Sequence, residues 1–269
     1  MMPHVAVFGS IGFHLKREAD AAAGLARPSP DVFERSTLAM PLGMMANAVL
    51  QVVFREFARG SALEGPRRRL AATCAVASLT YAAVVAAGVP LVQSLETAAA
   101  LWGAAVGAVV VHIAIALAML RTHVHAPRGK TKQKALAVLA RGVGTALIFL
   151  VAMAVARTLP ALSGVLVNFP FVTLGTLTSV WLGQGEDVAV GAIAPMAIGM
   201  TSATLYSFLA AWLMPELGTW WGALCAWCTA IVFITLPVLK VMTDFYASKI
   251  QEEEAGAAEK EPEGEELKP

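Results

Sequence analysis

Polar side chains inside long apolar runs are the residues of this chain that could do chemistry. Eight of them are amides, hydroxyls or an imidazole, and they are Asn47, Gln51, His112, Thr173, Thr176, Thr201, Ser202 and Tyr206. A polar group surrounded by hydrocarbon must find a hydrogen-bond partner, and a polar solute can supply one. We therefore take these eight side chains as candidates for lining a substrate path through a membrane.

Two alternatives stay open for the amides and hydroxyls. The Ser and Thr candidates follow Pro170 or Pro195, and a proline interrupts the hydrogen bonding of a helix, as in transporters built from repeats. Asn47 and Gln51 lie one helical turn apart. The same side chains could instead only join neighbouring membrane helices by hydrogen bonds, which is a common arrangement.

His112 is an ionisable residue in the apolar stretch "VVVHIAI". An imidazole with an ordinary pKa of about 6.5 suits a proton-transfer step. A neutral histidine bonded to a neighbouring helix explains its position equally well. No Asp or Glu lies deep in an apolar run to complete a proton relay.

Glu186 and Asp187 form an acidic pair in the short turn "QGED". They could gate one end of a path, or they could only cap a helix or stabilise the turn.

Signatures of enzymes, cofactor sites and metal sites are missing from the sequence. It has no phosphate-cradling glycine loop, no nucleophile elbow and no paired carboxylates. Cys225 and Cys228 lie in apolar surroundings where a reactive thiolate is disfavoured. We expect a protein that is not an enzyme and that has no cofactor and no metal site.

The composition indicates how these residues are positioned. The chain is 57% apolar and only 14% charged, whereas a soluble domain carries about 25% charged residues. Its apolar residues form seven runs, each near the roughly 17–25 residues that cross a bilayer as a helix. The runs are 37–54, 70–92, 97–120, 135–156, 163–182, 188–214 and 219–239. They predict an all-α, multi-pass membrane protein with about seven transmembrane helices.

Basic residues predict which side of the membrane each loop faces. Lys and Arg are concentrated after the first run and in the basic loop 121–134, whereas the loops "QSLE" and "PELG" contain none. Because cytoplasmic loops are enriched in Lys and Arg, we predict an outside N-terminus and an inside C-terminus. We also expect the basic loops to contact anionic lipid headgroups of the bilayer and not nucleic acid.

Recurring landmarks predict an internal duplication. The windows "YAAVVAAGVP" (81–90) and "YSFLAAWLMP" (206–215) share their Tyr, their Ala pair and their Pro, and three further landmarks recur in the same order around them. We predict two parallel repeat units related by a pseudo-twofold along the membrane normal. Unit 1 is 36–120 with three helices, and unit 2 is 135–247 with four.

The two ends of the chain are polar. Residues 1–35 take the place of an eighth helix, and their cluster of Lys16, Arg17, Glu18 and Asp20 is too charged to span. This leader is predicted to be a decayed helix or an interfacial segment. The acidic tail 248–269 has no aromatic residue and is predicted to be disordered.

The second unit resembles a known family. Its stretches "LPALSGVLVNFPFVTLGTLTSVWLGQGEDV" and "LMPELGTWWGALCAW" are similar to small bacterial inner-membrane proteins of the GlpM-like type. The resemblance covers 159–230 and, more faintly, 36–110. It implies a compact membrane protein with no known cofactor and a poorly defined activity. This chain departs from the pattern by fusing two units, as though an ancestral homodimer had become one polypeptide.

Two functions from different classes fit these patterns. The first is a small secondary transporter or permease for an unidentified small solute, with its path between the two units. The second is a non-transporting membrane scaffold or assembly protein, and either could form a homo-oligomer. Duplication and proline-interrupted helices favour transport, whereas the lack of a deeply placed carboxylate or arginine argues against ion coupling.

Overall fold

Apolar runs of spanning length form helices throughout the computed structural model, which describes residues 4–24, 31–122, 135–241 and 243–244. The helices are α1 (His4–Ala22), α2 (Val32–Gly60), α3 (Pro66–Gln93), α4 (Ala98–Arg121), α5 (Ala135–Val155), α6 (Pro160–Val167), α7 (Phe171–Gln184), α8 (Glu186–Gly191), α9 (Ile193–Gly199), α10 (Thr201–Leu217) and α11 (Thr219–Ala230). A π-helical turn, Ile231–Thr235, continues α11. These ranges contain no strand.

Seven helical segments are long and apolar enough to cross a membrane within the described ranges. They are α2, α3, α4, most of α5, the pair α6–α7, the series α8–α10, and α11 with its continuation. This confirms the predicted all-α, multi-pass membrane protein. The predicted repeat units and the sidedness of the termini stay predictions. Most of the predicted basic loop and the whole predicted acidic tail lie outside the described residues.

Helix α2 is the centre of the bundle. In its most apolar window 78% of the residues are buried, compared with 17% for α3 and 28% for α4. It packs against α1, α3, α4, α6 and α10. The helix begins four residues before the predicted boundary at 36, because the Asp31 carboxylate accepts the Glu34 N–H at 2.8 Å and caps its first turn.

The fifth and sixth spans are both interrupted. Between α6 and α7, Pro170 lacks an N–H, and the Asn168 amide donates to the Met40 carbonyl of α2 at 3.2 Å. The regular helix of the sixth span is interrupted at Ala192 and again at Met200. Pro195 removes a donor between these two positions. The interruptions expose backbone carbonyls to new partners.

Helix α1 lies in the predicted leader and packs against α2, α10 and α11. Phe13 is fully buried, and the Arg17 guanidinium contacts the Asp31 carboxylate at 2.8 Å. An added side chain at Gly9 would meet Met40, so α1 runs antiparallel to α2. Residues 1–35, predicted to be a decayed helix or an interfacial segment, thus contain a helix that is docked in the bundle.

Candidate functional site

A buried polar centre lies where α2, α4 and α7 meet the interruption between α9 and α10 at Met200. We define the polar centre by six residues that are linked pairwise by hydrogen bonds or sulfur contacts. They are Asn47 and Gln51 of α2, His112 of α4, Thr173 of α7, Met200 at the interruption and Thr204 of α10. The centre therefore combines α2 and α4 of predicted unit 1 with α7 and the twice-interrupted sixth span of predicted unit 2.

The two amides of α2 form the first part of the polar centre. Residues four apart share one face of a helix, which brings Asn47 and Gln51 to the same side of α2. The Asn47 amide nitrogen donates to the Thr173 hydroxyl at 3.3 Å, and the Gln51 amide nitrogen contacts the Met200 sulfur at 3.0 Å. Neither Asn47 Oδ1 nor Gln51 Oε1 has a hydrogen-bond partner among the described residues.

This arrangement leaves hydrogen-bonding capacity unused in a closed environment. Asn47 is 5% exposed and Gln51 is fully buried. A thioether sulfur is a weak acceptor, so the contact of Gln51 with Met200 only partly satisfies its donor. The two amides can accept further hydrogen bonds from a water molecule or a polar solute.

His112 is fully buried and bonded through both ring nitrogens. Its Nε2 lies 3.2 Å from the Ala197 carbonyl of α9, which can only accept, so Nε2 carries a proton. Its Nδ1 lies 3.2 Å from the Thr204 hydroxyl, which can also donate to the Met200 carbonyl. A neutral His112 accepts the Thr204 proton, whereas a protonated one donates to Thr204. The same hydrogen bonds therefore accommodate either protonation state.

Thr201 and Ser202 lie at the start of α10. Their hydroxyls donate back to the Ile198 and Gly199 carbonyls, the latter at 2.8 Å. These carbonyls belong to the end of α9, next to the interruption at Met200. The two side chains thus stabilise the junction between α9 and α10. Thr176 lies three residues after Thr173 on α7 and is half-buried.

Tyr206 does not lie with the polar centre. Its hydroxyl bonds to Ser10 of α1, and the side chain is fully buried in that contact. Residues two apart on a helix point to nearly opposite faces, because each residue turns the helix by about 100°. On α10, the Tyr206 side chain therefore faces α1, and the Thr204 side chain faces His112 of α4.

The acidic pair lies at the far end of the sixth span. Glu186 begins α8, and its carboxylate contacts the Arg69 guanidinium of α3 at 3.0 Å. Met200 is 14 residues further on, which is roughly 20 Å along a helix. Asp187 is exposed beside Glu186. Both residues are at the surface end of any path through the polar centre.

Arg55 is a polar residue of α2 that lies directly after the apolar run 37–54, where a loop was predicted. Helix α2 continues to Gly60, so Arg55 follows Asn47 and Gln51 at the same four-residue spacing. It is 8% exposed, donates to the Met119 carbonyl at 3.3 Å and pairs with Glu56 at 2.8 Å. The four-residue spacing of Asn47, Gln51 and Arg55 is visible in the sequence, but the predicted span ended at residue 54 and so excluded Arg55. A polar stripe therefore joins the polar centre to one end of the bundle.

Helices α2 and α6 approach each other closely near the start of α2. The Ser36 and Ser163 hydroxyls are 3.0 Å apart where α2 crosses α6. A Cβ atom at Gly164 would lie 1.8 Å from the Ser36 carbonyl oxygen. No sequence signal identified this crossing, because it pairs residues more than 120 positions apart.

Among the residues that the structure describes, no group of three or more His, Cys, Asp or Glu side chains could hold a metal ion. Cys225 and Cys228 are exposed thiols on the outer face of α11.

Comparison with known proteins gives no family for the chain. No family model matches it, and neither a curated protein nor a solved structure does. The resemblance to GlpM-like proteins stays a prediction.

Proposed function

We propose that the protein is a small secondary transporter or permease that passes a polar solute through the polar centre. The observation that carries this proposal is the pair of buried amide oxygens, Asn47 Oδ1 and Gln51 Oε1, which have no partner among the described residues. A buried polar group without a hydrogen bond costs about 1–3 kcal/mol. Helices that only pack would be more stable with apolar residues at both positions, whereas a solute path needs the amides.

The interrupted sixth span supports the same proposal. Half-helices that meet near the middle of a membrane form the binding sites of many repeat-built transporters. Met200, at the interruption between α9 and α10, contacts Gln51 directly. A change of the angle between α9 and α10 would therefore alter the surroundings of the Gln51 amide.

The polar centre contains residues of both predicted units, which also supports a path between these units. Asn47, Gln51 and His112 belong to unit 1, and Thr173 and Thr204 belong to unit 2. Movement of one unit against the other would open or close the space between these side chains. The centre has no carboxylate, and it offers oxygen acceptors, so the solute class is a small molecule that donates hydrogen bonds.

Water access to the polar centre tests the proposal. Single-cysteine variants would be made in a chain with Cys74, Cys225 and Cys228 replaced by alanine, and labelled in membranes with a hydrophilic thiol reagent. We expect Asn47→Cys and Thr201→Cys to react. Leu50→Cys is the matched control, because Leu50 is fully buried on the same helix and should stay unlabelled. Solutes that slow the labelling of Asn47→Cys would then identify the transported class.

The contrary result favours the alternative function. If Asn47→Cys and Thr201→Cys stay unlabelled when a loop control at Ser94 reacts, the centre is dry. The close α2–α6 crossing would then be the main feature of the bundle, as expected for a non-transporting membrane scaffold or assembly protein.

A further inference from the structure

A groove between α3 and α7 lies away from the polar centre. It has a volume of about 820 Å³, within the range of about 300–1,000 Å³ that is typical of ligand sites. Its walls are mainly apolar, with Leu70 and Cys74 on α3 facing Trp181 on α7. The Cys74 sulfur lies 3.6 Å from the Thr178 hydroxyl and closes its deep end.

The mouth of the groove carries a positive charge without a partner. Glu186 lies at the rim but is paired with Arg69 at 3.0 Å. Arg67 also lines the groove and is exposed. No hydrogen bond or ion pair joins the Arg67 side chain to any other residue in the described part of the chain. The free charge therefore belongs to Arg67, at the end where α3 begins.

We propose that this groove binds one phospholipid of net negative charge, with the phosphate at Arg67 and an acyl chain along the apolar walls. Arg67 and Cys74 are seven residues apart on α3, which places the charged mouth about 10 Å above the deep end. A ligand that fits both features has an anionic head and a hydrocarbon tail.

The position of the groove in the bundle favours a bilayer lipid over a soluble anion. Only 17% of the apolar window of α3 is buried, so the groove opens sideways between two helices that face lipid. Its mouth lies at the end of α3 predicted to be cytoplasmic, and cytoplasmic leaflets are rich in anionic lipids. The inference is independent of the transport proposal, because it uses none of the polar-centre residues.

Native mass spectrometry of the purified full-length protein tests this site. Phosphatidylglycerol would be titrated against zwitterionic phosphatidylcholine, and the bound fraction of each would be measured. We expect phosphatidylglycerol to bind more tightly, and Arg67→Gln to weaken it about fivefold, as for one arginine near a charged surface. Lys240→Gln is the matched control, because Lys240 is an exposed cation outside the basic loops that does not line the groove.

A second variant tests the walls. Ala71 lines the groove, and Ala71→Phe should weaken the binding of both lipids at least fivefold by filling the space, with an unchanged elution volume and helical circular dichroism. Equal effects of Arg67→Gln and Lys240→Gln would overturn the proposal. So would unchanged lipid binding by a folded Ala71→Phe variant, or tight binding of glycerol 3-phosphate alone, because the apolar walls would then play no part.

Discussion

Gln51 is buried where a membrane helix would usually carry an apolar residue, and its oxygen has no partner among the described residues. Replacement by methionine keeps the length of the side chain and removes the unpaired group. We expect Gln51→Met to raise the free energy of unfolding by about 1 kcal/mol and to abolish passage of the solute. Thermal unfolding in detergent measures the first effect.

Leu50→Met is the matched control for the change of side-chain shape, since Leu50 is equally buried on α2. Leu50→Met should lower the free energy of unfolding by less than about 1.5 kcal/mol. A marked loss of stability in Gln51→Met, well beyond that of the control, would mean that the amide holds the bundle together and would weaken the transport proposal.

His112 makes a separate prediction, because both of its ring nitrogens are bonded. Leucine at this position would leave the Ala197 carbonyl and the Thr204 hydroxyl without their partner. We expect His112→Leu to lower the free energy of unfolding by about 1–3 kcal/mol, measured as a lower midpoint of thermal unfolding. His112→Gln can still donate and accept, so it should retain more of the stability. Equal losses in the two variants would show that the hydrogen bonds contribute little.

At the level of the helices, the crossing of α2 and α6 depends on Gly164. A Cβ atom there would lie 1.8 Å from the Ser36 carbonyl oxygen, which is backbone and cannot rotate away. Small residues allow membrane helices to approach closely. We expect Gly164→Ala to destabilise the protein by at least about 2 kcal/mol, with a lower yield of monodisperse protein in detergent.

Gly103→Ala is the control for helix propensity. Gly103 lies in α4 with no atom within 4 Å of an added Cβ, and alanine is favoured over glycine in a helix by roughly 0.5–1 kcal/mol. This variant should be as stable as the original chain or more so. If Gly164→Ala behaved like Gly103→Ala, the two helices would not be in close contact.

The helices were predictable from sequence to different degrees. The seven spans follow from the lengths of the apolar runs, and Pro170 indicated where α6 and α7 separate. The ends were less predictable, because helix α2 continues six residues past its apolar run and includes Arg55. There the Arg55 hydrogen bond to the Met119 carbonyl keeps a charged residue inside a buried helix.

The candidate site was predictable as a set of residue types but not as a set of contacts. Asn47 and Gln51 share a face of α2 because they are four residues apart, and such a short spacing can be recognised in the sequence. The partners of His112 and Tyr206 are 92 and 196 residues away in the chain, and no local pattern encodes them. This is why the sequence grouped Tyr206 with the path, whereas the fold places it against α1.

At the scale of the whole molecule, the ion pairs sort the helix ends into two groups. The Arg69–Glu186 pair joins the start of α3 to the start of α8. At the opposite end, the charged residues of α1 meet the start of α2 through Arg17 and Asp31, and α5 through Asp20 and Arg157. Since the basic loops predict the first group to be cytoplasmic, the charged end of α1 is predicted to lie outside.

This geometry bears on the predicted outside N-terminus. Helix α1 runs antiparallel to α2. Arg17, near the end of α1, contacts Asp31 before the start of α2, and Gly9, earlier in α1, lies next to Met40, further along α2. The start of α1 therefore points toward the end of the bundle that is predicted to be cytoplasmic. The loop charges predict the orientation of the seven spans, and they do not by themselves predict the direction of α1.

Cysteine labelling in intact cells tests this arrangement as a whole, again with the native cysteines replaced. We expect an impermeant thiol reagent to label Ser94→Cys, Glu216→Cys and Lys16→Cys from outside, and to label Ala62→Cys only after permeabilisation. Phe8→Cys should stay unlabelled on both sides, because Phe8 is 65% exposed on α1 and an α1 helix that runs antiparallel to α2 inside the bilayer would present Phe8 to hydrocarbon. Labelling of Phe8→Cys as fast as Lys16→Cys would instead place α1 on the membrane surface, and the antiparallel contact with α2 would then be wrong.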